Sequence, residues 1–215
     1  MPLRINEIFY SIQGESLYTG LSCVFVRLTG CNLRCAYCDT RYAYDEGADM
    51  TVSEILKQVE SYPAAALVEI TGGEPLLQAE TPNLVKKLLD QNRTVLMETN
   101  GSLDISRVDN RCIRIMDVKC PSSRMHARND PDNLRRIGPH DQIKFIMETR
   151  SDYDYALNIL KRLPPDFPRS SVLFSPAFGS LSPSLLAEWI LQDGLGVRLH
   201  LQLHKLIWPN TERGV

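Results

Sequence analysis

Three cysteines within eight residues constrain this chain more than any other feature. Cys31, Cys35 and Cys38 stand at C-x3-C-x2-C spacing inside the stretch 30–40. A loop with this spacing can wrap around one inorganic cube and direct three thiolates at three of its corners. A 4Fe–4S cluster normally takes four cysteine thiolates, so three ligands leave one iron without a protein partner. That iron can bind a reactant, and the spacing therefore predicts a catalytic cluster and not an electron-transfer cluster.

Two other interpretations of the cysteine loop are a structural zinc site and a disulfide loop. Structural zinc takes four closed ligands, usually in two pairs, and no further Cys or His pair stands near the cysteine loop in the sequence. Disulfide frameworks are typical of small secreted chains, and this chain of 215 residues is neither small nor visibly secreted. The other cysteines, Cys23, Cys112 and Cys120, are scattered, which favours buried apolar positions over a second cluster.

The composition fits one domain that spans residues 1–215. Apolar residues make up 43% of the chain, and no run approaches the roughly 18 apolar residues of a membrane span. The formal net charge of −2 gives no reason to expect nucleic acid or an anionic membrane as a partner. The segment 1–7 lacks the apolar core of a signal peptide, so we expect a cytoplasmic protein, in which thiols stay reduced.

Strand and helix patterns alternate along the chain. After an extended segment at 3–16, the pattern predicts seven strands, at 22–29, 66–71, 94–98, 112–118, 142–147, 171–174 and 197–203. Helices are predicted from Thr51 to about residue 62, at 81–91, 122–138 and 151–163, and from Ser182 to Gly194.

This alternation predicts an α/β fold with a parallel sheet and helices outside it. Because a full eightfold barrel usually takes roughly 250 residues, we expect an incomplete, open β/α barrel. Ligands in such folds sit beyond the carboxyl ends of the strands. The distinctive polar motifs stand at those ends, which are the cysteine loop and the stretches 72–75, 98–101, 117–119 and 175–176.

Two adjacent glycines follow the strand at 66–71. Gly72 and Gly73 allow the backbone to approach a ligand closely, and they can hold the amino group of a methionine-like molecule. The same pair can also serve only as a tight turn between a strand and a helix.

Together, these motifs resemble the radical S-adenosylmethionine (SAM) superfamily. The resemblance rests on the cysteine spacing, on Tyr37 directly before Cys38, and on the Gly-Gly-Glu-Pro sequence at 72–75. It implies that S-adenosylmethionine chelates the open iron through its amino and carboxylate groups. An electron from the cluster then splits a carbon–sulfur bond and gives methionine and a 5′-deoxyadenosyl radical.

A narrower resemblance points to the family of 7-carboxy-7-deazaguanine synthases. It rests on the segments 7–16, 25–28, 38–40, 71–75, 175–179 and 202–208, which span nearly the whole chain. It implies a lyase reaction in which 6-carboxy-5,6,7,8-tetrahydropterin loses ammonia and becomes 7-carboxy-7-deazaguanine, in queuosine or other 7-deazapurine biosynthesis. It further implies that the adenosyl radical takes a hydrogen from C6 and that S-adenosylmethionine is regenerated.

The residues suit a pterin that presents a donor–acceptor edge and a carboxylate. Ile12, Gln13 and Gly14 offer backbone groups on a turn, and the carboxylate of Glu15 can accept from amino-pyrimidine N–H groups. Arg27, inside an apolar strand, can clamp the substrate carboxylate with its planar fork. The alternative interpretation is that Glu15 and Arg27 form an ordinary ion pair. By resemblance, Thr71 and His204 also contact the substrate.

The resemblance also implies binding sites for the cofactor and for a metal. It places S-adenosylmethionine against Tyr37, Cys38, Asp39, Gly73, Asp117, Val118, Lys119, Ser175, Pro176, Ala177 and Phe178. It gives the hydroxyl of Thr40 to a Mg²⁺ ion that also contacts the substrate, in keeping with the preference of magnesium for oxygen ligands. The alternative role of Thr40 is to cap the loop.

Two other functions share part of this pattern. A glycyl-radical-enzyme activating protein has the same cluster spacing and glycine motif, but it acts on a partner protein and does not need Gln13, Glu15 or Arg27. A ferredoxin-like carrier should supply a fourth cysteine, and none stands near the loop. The resemblance implies a low-potential reductant such as flavodoxin or ferredoxin as a partner, and a homodimer.

Overall fold

A single wide sheet organises the chain. The computed structural model describes residues 1–62 and 66–215. The strands are β1 (Leu3–Ile12), β2 (Ser22–Leu28), β3 (Ala48–Met50), β4 (Leu67–Gly72), β5 (Thr94–Thr99), β6 (Ile113–Asp117), β7 (Gln142–Met147), β8 (Val172–Pro176) and β9 (Arg198–Leu199). Within the described residues they form one sheet in the order β3-β1-β2-β4-β5-β6-β7-β8-β9.

Most of this sheet is parallel. Each neighbouring pair from β2 to β9 runs parallel, whereas β1 pairs antiparallel with both β2 and β3. The order does not return from β9 to β3, so the sheet stays open. The predicted open barrel of parallel strands is confirmed, with β1 and β3 added as an antiparallel edge.

The helices are α1 (Val52–Glu60), α2 (Thr81–Asp90), α3 (Asn133–Arg136), α4 (Arg150–Leu160), α5 (Pro183–Gln192) and α6 (Leu203–Ile207). The first five cover the outer face of the sheet, and their apolar sides join alternate strand residues, such as Val68 and Ile70, in the main core. Residues of α6 line a cavity instead. Among the described residues, no helix is long and apolar enough to cross a membrane.

The opposite residues of the same strands face the barrel interior. There a small apolar cluster, Cys23, Phe25, Leu67, Leu96 and Ile115, forms a floor. Because side chains alternate along a strand, positions two residues further on face the same interior nearer the carboxyl ends. The strand pattern therefore puts an apolar floor beneath a polar site.

The predicted helix at 122–138 is wrong. This segment forms 3-10 turns at Pro121–Ser123 and His126–Arg128 and then only the four residues of α3. Pro131 and a left-handed Arg124, with φ of 61°, interrupt any longer helix.

The last predicted strand, 197–203, is also wrong in extent. Only Arg198 and Leu199 pair with β8, after which His200 donates its N–H to the Phe174 carbonyl at 2.9 Å. Strand β8 ends in a proline, which offers no N–H for further pairing. The chain turns instead into α6, so His204 lies on a short helix and not on a strand.

Candidate active site

A cavity of about 510 Å³ opens at the carboxyl ends of the parallel strands. Its size fits a small-molecule site. All three motif cysteines line it, together with the turn Gln13–Glu15 and strand-end residues of β4, β5, β6 and β7. Four of the five strand-end motifs that were predicted to meet at one site line this cavity, whereas Ser175 and Pro176 do not.

The cysteine loop follows β2 and has its own supports. Its first residue, Gly30, has φ of 99° and donates its N–H to the Ala43 carbonyl at 2.8 Å. The Ala36 N–H donates to the Ser123 carbonyl at 3.1 Å, which ties the middle of the loop to the segment after β6. These two hydrogen bonds fix the start and the middle of the cysteine loop to neighbouring segments.

The three thiols fit the predicted cluster. Cys31, Cys35 and Cys38 are free and half-buried, and each faces the same cavity. The Leu33 N–H lies 3.4 Å and the Asn100 amide 3.7 Å from the Cys31 sulfur. Hydrogen bonds of this kind stabilise cluster thiolates and adjust the reduction potential. Leu33 and Asn100 thus supply N–H donors to a thiolate, and no fourth cysteine is among the described residues that line the cavity. This set of ligands suits a cube with one open iron.

Gly73 lies so close to the cysteine loop that a side chain would not fit at this position. A Cβ added at Gly73 would collide with the carbonyl of Gly30 and with the Cβ of Cys31. The Gly73 N–H donates to the Leu28 carbonyl at 3.2 Å, so the group that it can offer to a ligand ammonium is its own carbonyl. The predicted cradle for an amino group is consistent with this geometry.

Glu74, the next residue, braces two strand ends. Its buried carboxylate accepts from the Leu76 N–H at 3.0 Å, the Thr99 hydroxyl at 2.9 Å and the Asn100 N–H at 2.7 Å. The loops after β4 and β5 are therefore fixed to each other, and Asn100 is directed at the cysteine loop.

Asp117 and Lys119 stand at the end of β6. Lys119 Nζ lies 2.6 Å from Oδ2 of Asp117, whereas Oδ1 of Asp117 is buried without a hydrogen-bond partner among the described residues. A buried unpaired oxygen at a cavity wall calls for a donor from a ligand, and a ribose hydroxyl is such a donor. Burial raises the pKa of Cys35, and the ammonium of Lys119 counteracts part of that rise.

The turn after β1 crosses the barrel mouth. The Gln13 N–H donates to the Leu21 carbonyl at 2.7 Å, and the Leu203 N–H donates to the Gly14 carbonyl at 2.9 Å. The Gln13 side-chain oxygen accepts from the Glu15 N–H at 2.8 Å. These bonds hold the turn Gln13–Glu15 over the cavity and bring α6, with His204, next to Gly14.

A buried lysine joins two carboxylates below this turn. Lys144 Nζ lies 2.7 Å from Glu15 and also contacts Glu98. Burial alone would raise the pKa of Glu15, but Lys144, His200 and His204 lower it, so its pKa lies well below the usual range. Burial raises the pKa of Glu98, and Lys144 offsets only part of the rise. The lowered pKa favours the ionised form of Glu15, and its predicted contact with the substrate stays a prediction.

The contacts of Arg27 fit both of its interpretations from the sequence, an ion pair and a binding site for the substrate carboxylate. Its Nε atom donates to Glu7 Oε1 at 2.7 Å, and the Tyr42 hydroxyl donates to the same oxygen at 3.0 Å. Within the described residues, no hydrogen bond uses its two Nη atoms, and Arg27 lines the cavity. The ion pair therefore fixes the guanidinium while its outer edge stays available to a ligand carboxylate.

Thr40 and its neighbour Asp39 line the cavity beside the last cysteine. The Thr40 hydroxyl donates to Asp39 Oδ1 at 3.0 Å, and Lys205 Nζ lies 2.5 Å from Asp39 Oδ2. No three His, Cys, Asp or Glu residues of the described chain are grouped tightly enough to hold one metal ion. A magnesium ion at Thr40 would thus take most of its oxygens from water and substrate, as this ion commonly does.

Most of the predicted site residues face the cavity. All seven predicted substrate residues line it, as do Tyr37, Gly73, Ala177 and Phe178 among the cofactor residues. Val118, Ser175 and Pro176 do not line it, and each of the three is buried. Their predicted contact with S-adenosylmethionine stays a prediction.

Several cavity residues were missed from the sequence, namely Glu69, Glu98, Asn100, Lys144, Gln202 and Lys205. A signal was present for three of them. Glu69, Glu98 and Lys144 are charged residues inside otherwise apolar parallel strands, and such strands are normally buried on both faces. A charge at such a position indicates a polar interior.

Comparisons with known proteins agree with this geometry. The family model "Radical SAM superfamily" matches residues 25–174. A 7-carboxy-7-deazaguanine synthase of Koribacter versatilis is 42% identical to the chain, and the alignment covers 99% of this chain and 100% of that one. The chain belongs to the 7-carboxy-7-deazaguanine synthase family of radical SAM proteins.

Other members of this synthase family are similarly close. A relative from Chlorobaculum tepidum is 46% identical, with 100% of this chain and 98% of that one covered. The crystal structure of QueE from Escherichia coli has a TM-score of 0.80 at 24% identity and covers 95% of each chain. That structure supports the fold, and the synthase family assignment rests on the sequence relatives.

Proposed function

We propose that this chain converts 6-carboxy-5,6,7,8-tetrahydropterin into 7-carboxy-7-deazaguanine with release of ammonia, in queuosine or other 7-deazapurine biosynthesis. The observation that carries this proposal is the meeting of two half-sites in one cavity. Three free thiols and Gly73 line one side, and Glu15 and Arg27 line the other. The first half-site suits the cluster and S-adenosylmethionine, and the second suits a pterin carboxylate.

The bound groups supply the radical chemistry. When bound, the 4Fe–4S cluster and S-adenosylmethionine would supply radical chemistry for the abstraction of a hydrogen at C6 of the pterin. Cys31, Cys35 and Cys38 would hold the cluster. Gly73 would accept from the amino group of the cofactor, and Asp117 Oδ1 from a ribose hydroxyl.

The chain itself orients the substrate. Glu15, kept ionised by Lys144, accepts from the amino-pyrimidine N–H groups. The Nη edge of Arg27 binds the pterin carboxylate in the fork geometry that guanidinium groups favour. Holding both ends of a rigid ring system sets C6 at one distance from the cysteine side, and such positioning lowers the entropic part of the barrier.

The surrounding residues restrict water and complete the site. Phe25 and the apolar floor close the bottom of the cavity, and α6 closes one side through its bond to the Gly14 carbonyl. Thr40 supplies one oxygen for Mg²⁺, which would also bind the substrate.

A low-potential reductant such as flavodoxin or ferredoxin delivers electrons, and the working form is a homodimer.

Product analysis tests this function. The anaerobically reconstituted protein would be incubated with the carboxypterin, S-adenosylmethionine, Mg²⁺ and dithionite. We expect 7-carboxy-7-deazaguanine and ammonia in equal amounts, formed over many turnovers for each S-adenosylmethionine. Steady cleavage of S-adenosylmethionine without a deazaguanine product would contradict the proposal and would favour a protein substrate, as in a glycyl-radical-enzyme activating protein.

A further inference from the structure

Glu69 is a buried acid at the cavity wall that the proposed reaction leaves without a role. It lies on the inner face of β4, with a relative exposure of 3%, and its Cα is in register with Phe25 of β2 and Leu96 of β5. Its side chain therefore lies level with Phe25 and Leu96 of the apolar floor, and it lines the cavity. An acid at this depth meets little water, so its protonation state depends on its immediate neighbours.

The charges around Glu69 do not balance if every group ionises. Lys144 is in contact with Glu15 and Glu98, and no ion pair joins it to Glu69 among the described residues. Arg27 faces Glu69 from β2, but its Nε atom is paired with Glu7. Three carboxyl groups therefore share one ammonium, and the acid without a direct cation contact is the one that retains its proton.

Electrostatics point the same way. Burial, followed by the charges of Glu98 and Glu15, raises the pKa of Glu69 to about 8. The thiol of Cys23, which is close enough to feel the charge of Glu69, also has a raised pKa because of burial and the nearby Glu69. At neutral pH the wall of the cavity thus presents a carboxylic acid at this position and not a carboxylate.

The hydrogen bonds of Glu69 leave one oxygen for a ligand. Its Oε2 atom accepts from the side-chain amide of Gln13, and its Oε1 atom has no hydrogen-bond partner in the described part of the chain. A neutral carboxyl can carry a proton on that oxygen and donate it. The same Gln13 side chain accepts from the Glu15 N–H at 2.8 Å, so Glu69 is linked to the turn that holds Glu15.

We propose that Glu69 is a substrate-binding residue that, as a neutral acid, donates an O–H hydrogen bond to an acceptor atom of the pyrimidine ring of the pterin. This inference rests on the proposed function. Glu15 then accepts from the N–H groups of the ring while Glu69 donates to an acceptor, and Gln13 fixes both acids. Such a pair recognises an edge that carries donors and acceptors, which two carboxylates cannot do.

Three variants test this role. Glu69→Gln keeps a donor and an acceptor but cannot ionise, Glu69→Leu removes both, and Glu60→Gln changes an exposed acid on α1 as the matched control. Binding of the carboxypterin to the reconstituted, cofactor-loaded protein would be measured by anaerobic calorimetry, and KM and kcat would be measured over the same pH range.

The expected results separate a binding role from a structural one. For the wild type, ionisation of Glu69 removes the donor, so affinity should fall as pH rises through about 8, by up to about tenfold at about pH 9. Glu69→Gln should bind nearly as the wild type does at neutral pH and should lose this alkaline fall. Glu69→Leu should raise KM more than it lowers kcat, and Glu60→Gln should match the wild type at every pH.

Two results would overturn the inference. One is an alkaline loss of affinity that persists unchanged in Glu69→Gln, because other groups would then cause it. The other is a Glu69→Leu protein that folds and binds the pterin as tightly as the wild type. Failure of the proposed function itself is distinguishable, because the wild type would then form no deazaguanine from the carboxypterin at any pH.

Discussion

Lys144 Nζ lies 2.7 Å from Glu15 Oε2 and joins strand β7 to the turn after β1. The two residues are 129 positions apart in the chain. Burial lowers the pKa of a lysine, but Glu15 and Glu98 raise that of Lys144 well above its usual value. One ammonium group thus links Glu15 in the turn after β1 to Glu98 on β5.

We predict that Lys144→Met destabilises the fold and weakens substrate binding. Removal of one partner leaves buried carboxylates uncompensated, which typically costs about 3–5 kcal/mol. Urea unfolding would measure the loss in the free energy of unfolding, with Lys161→Met, at an exposed residue directly after α4, as the control. A Lys144→Met protein as stable as that control would contradict the assignment.

The wild type should lose part of its stability on acidification because of Glu15. Its pKa is depressed in the folded state, so its contribution is present above the pKa of the unfolded carboxyl and is lost as pH falls towards the folded value. Lys144→Met should flatten this acid limb. The measurement is the free energy of unfolding as a function of pH between about 3 and 7. An identical acid limb in both proteins would argue against the pair.

Glu69 should have the opposite effect on stability. Its pKa is raised to about 8 in the folded state, so its contribution is complete below the pKa of the unfolded carboxyl and declines as pH rises through about 8. Glu69→Gln should therefore gain stability relative to the wild type as the pH rises, by about 2 kcal/mol or more above pH 8. Parallel pH profiles for the two proteins would show that Glu69 ionises normally.

Cys35→Ala should abolish the cluster and the activity. With two thiolates left, a second iron of the cube has no protein ligand. Iron content, acid-labile sulfide and the visible absorption of anaerobically reconstituted protein would report the loss. Cys112→Ala is the matched control, since this buried cysteine belongs to the apolar core and should affect stability only. Loss of iron in the control but not in Cys35→Ala would reverse the assignment.

Gly73→Ala should impair cofactor binding. An added methyl group would collide with Gly30 and Cys31 and push the β4 loop away from the cysteine loop. We expect S-adenosylmethionine affinity to fall at least about tenfold, measured by equilibrium dialysis. At Gly196 the nearest atom to an added Cβ is 3.4 Å away, so Gly196→Ala should bind the cofactor normally. Normal cofactor affinity in Gly73→Ala would place the amino group elsewhere.

Thr40→Ala should raise the Mg²⁺ concentration that the reaction needs. In the proposed site the hydroxyl would supply one oxygen to the ion, so its loss should raise the Mg²⁺ concentration for half-maximal activity about tenfold or more. Thr40→Ser keeps the hydroxyl and should retain the wild-type response. An unchanged Mg²⁺ response in Thr40→Ala would leave the residue with only its bond to Asp39.

The strands and the cysteine loop could be predicted because their signals are local. Strand β7, for example, was predicted with the bounds Gln142–Met147. The prediction was possible because β-branched and aromatic residues favour strands and the run is bounded by turn-forming residues. The capping box of Thr51 and Glu54 likewise forms at the start of α1. These features depend on residues close in sequence.

The parts that could not be predicted depend on distant contacts. Strand β3, which follows the cysteine loop, pairs only with the start of β1. The strand predicted at 197–203 ends early, and the chain from Leu203 onwards forms α6, where the Leu203 N–H donates to the Gly14 carbonyl. The roles of Lys144 and Glu69 depend on a turn that reaches them across the barrel, and no local pattern encodes that approach.

An anaerobic crystal structure with the carboxypterin and S-adenosylmethionine bound offers the most direct measurement. We predict a 4Fe–4S cube on Cys31, Cys35 and Cys38 with the cofactor on its fourth iron. The pterin should lie in the same cavity, with Glu15 on its amino-pyrimidine edge and Arg27 on its carboxylate. A fourth side chain on the cube, or a pterin bound outside this cavity, would contradict the site.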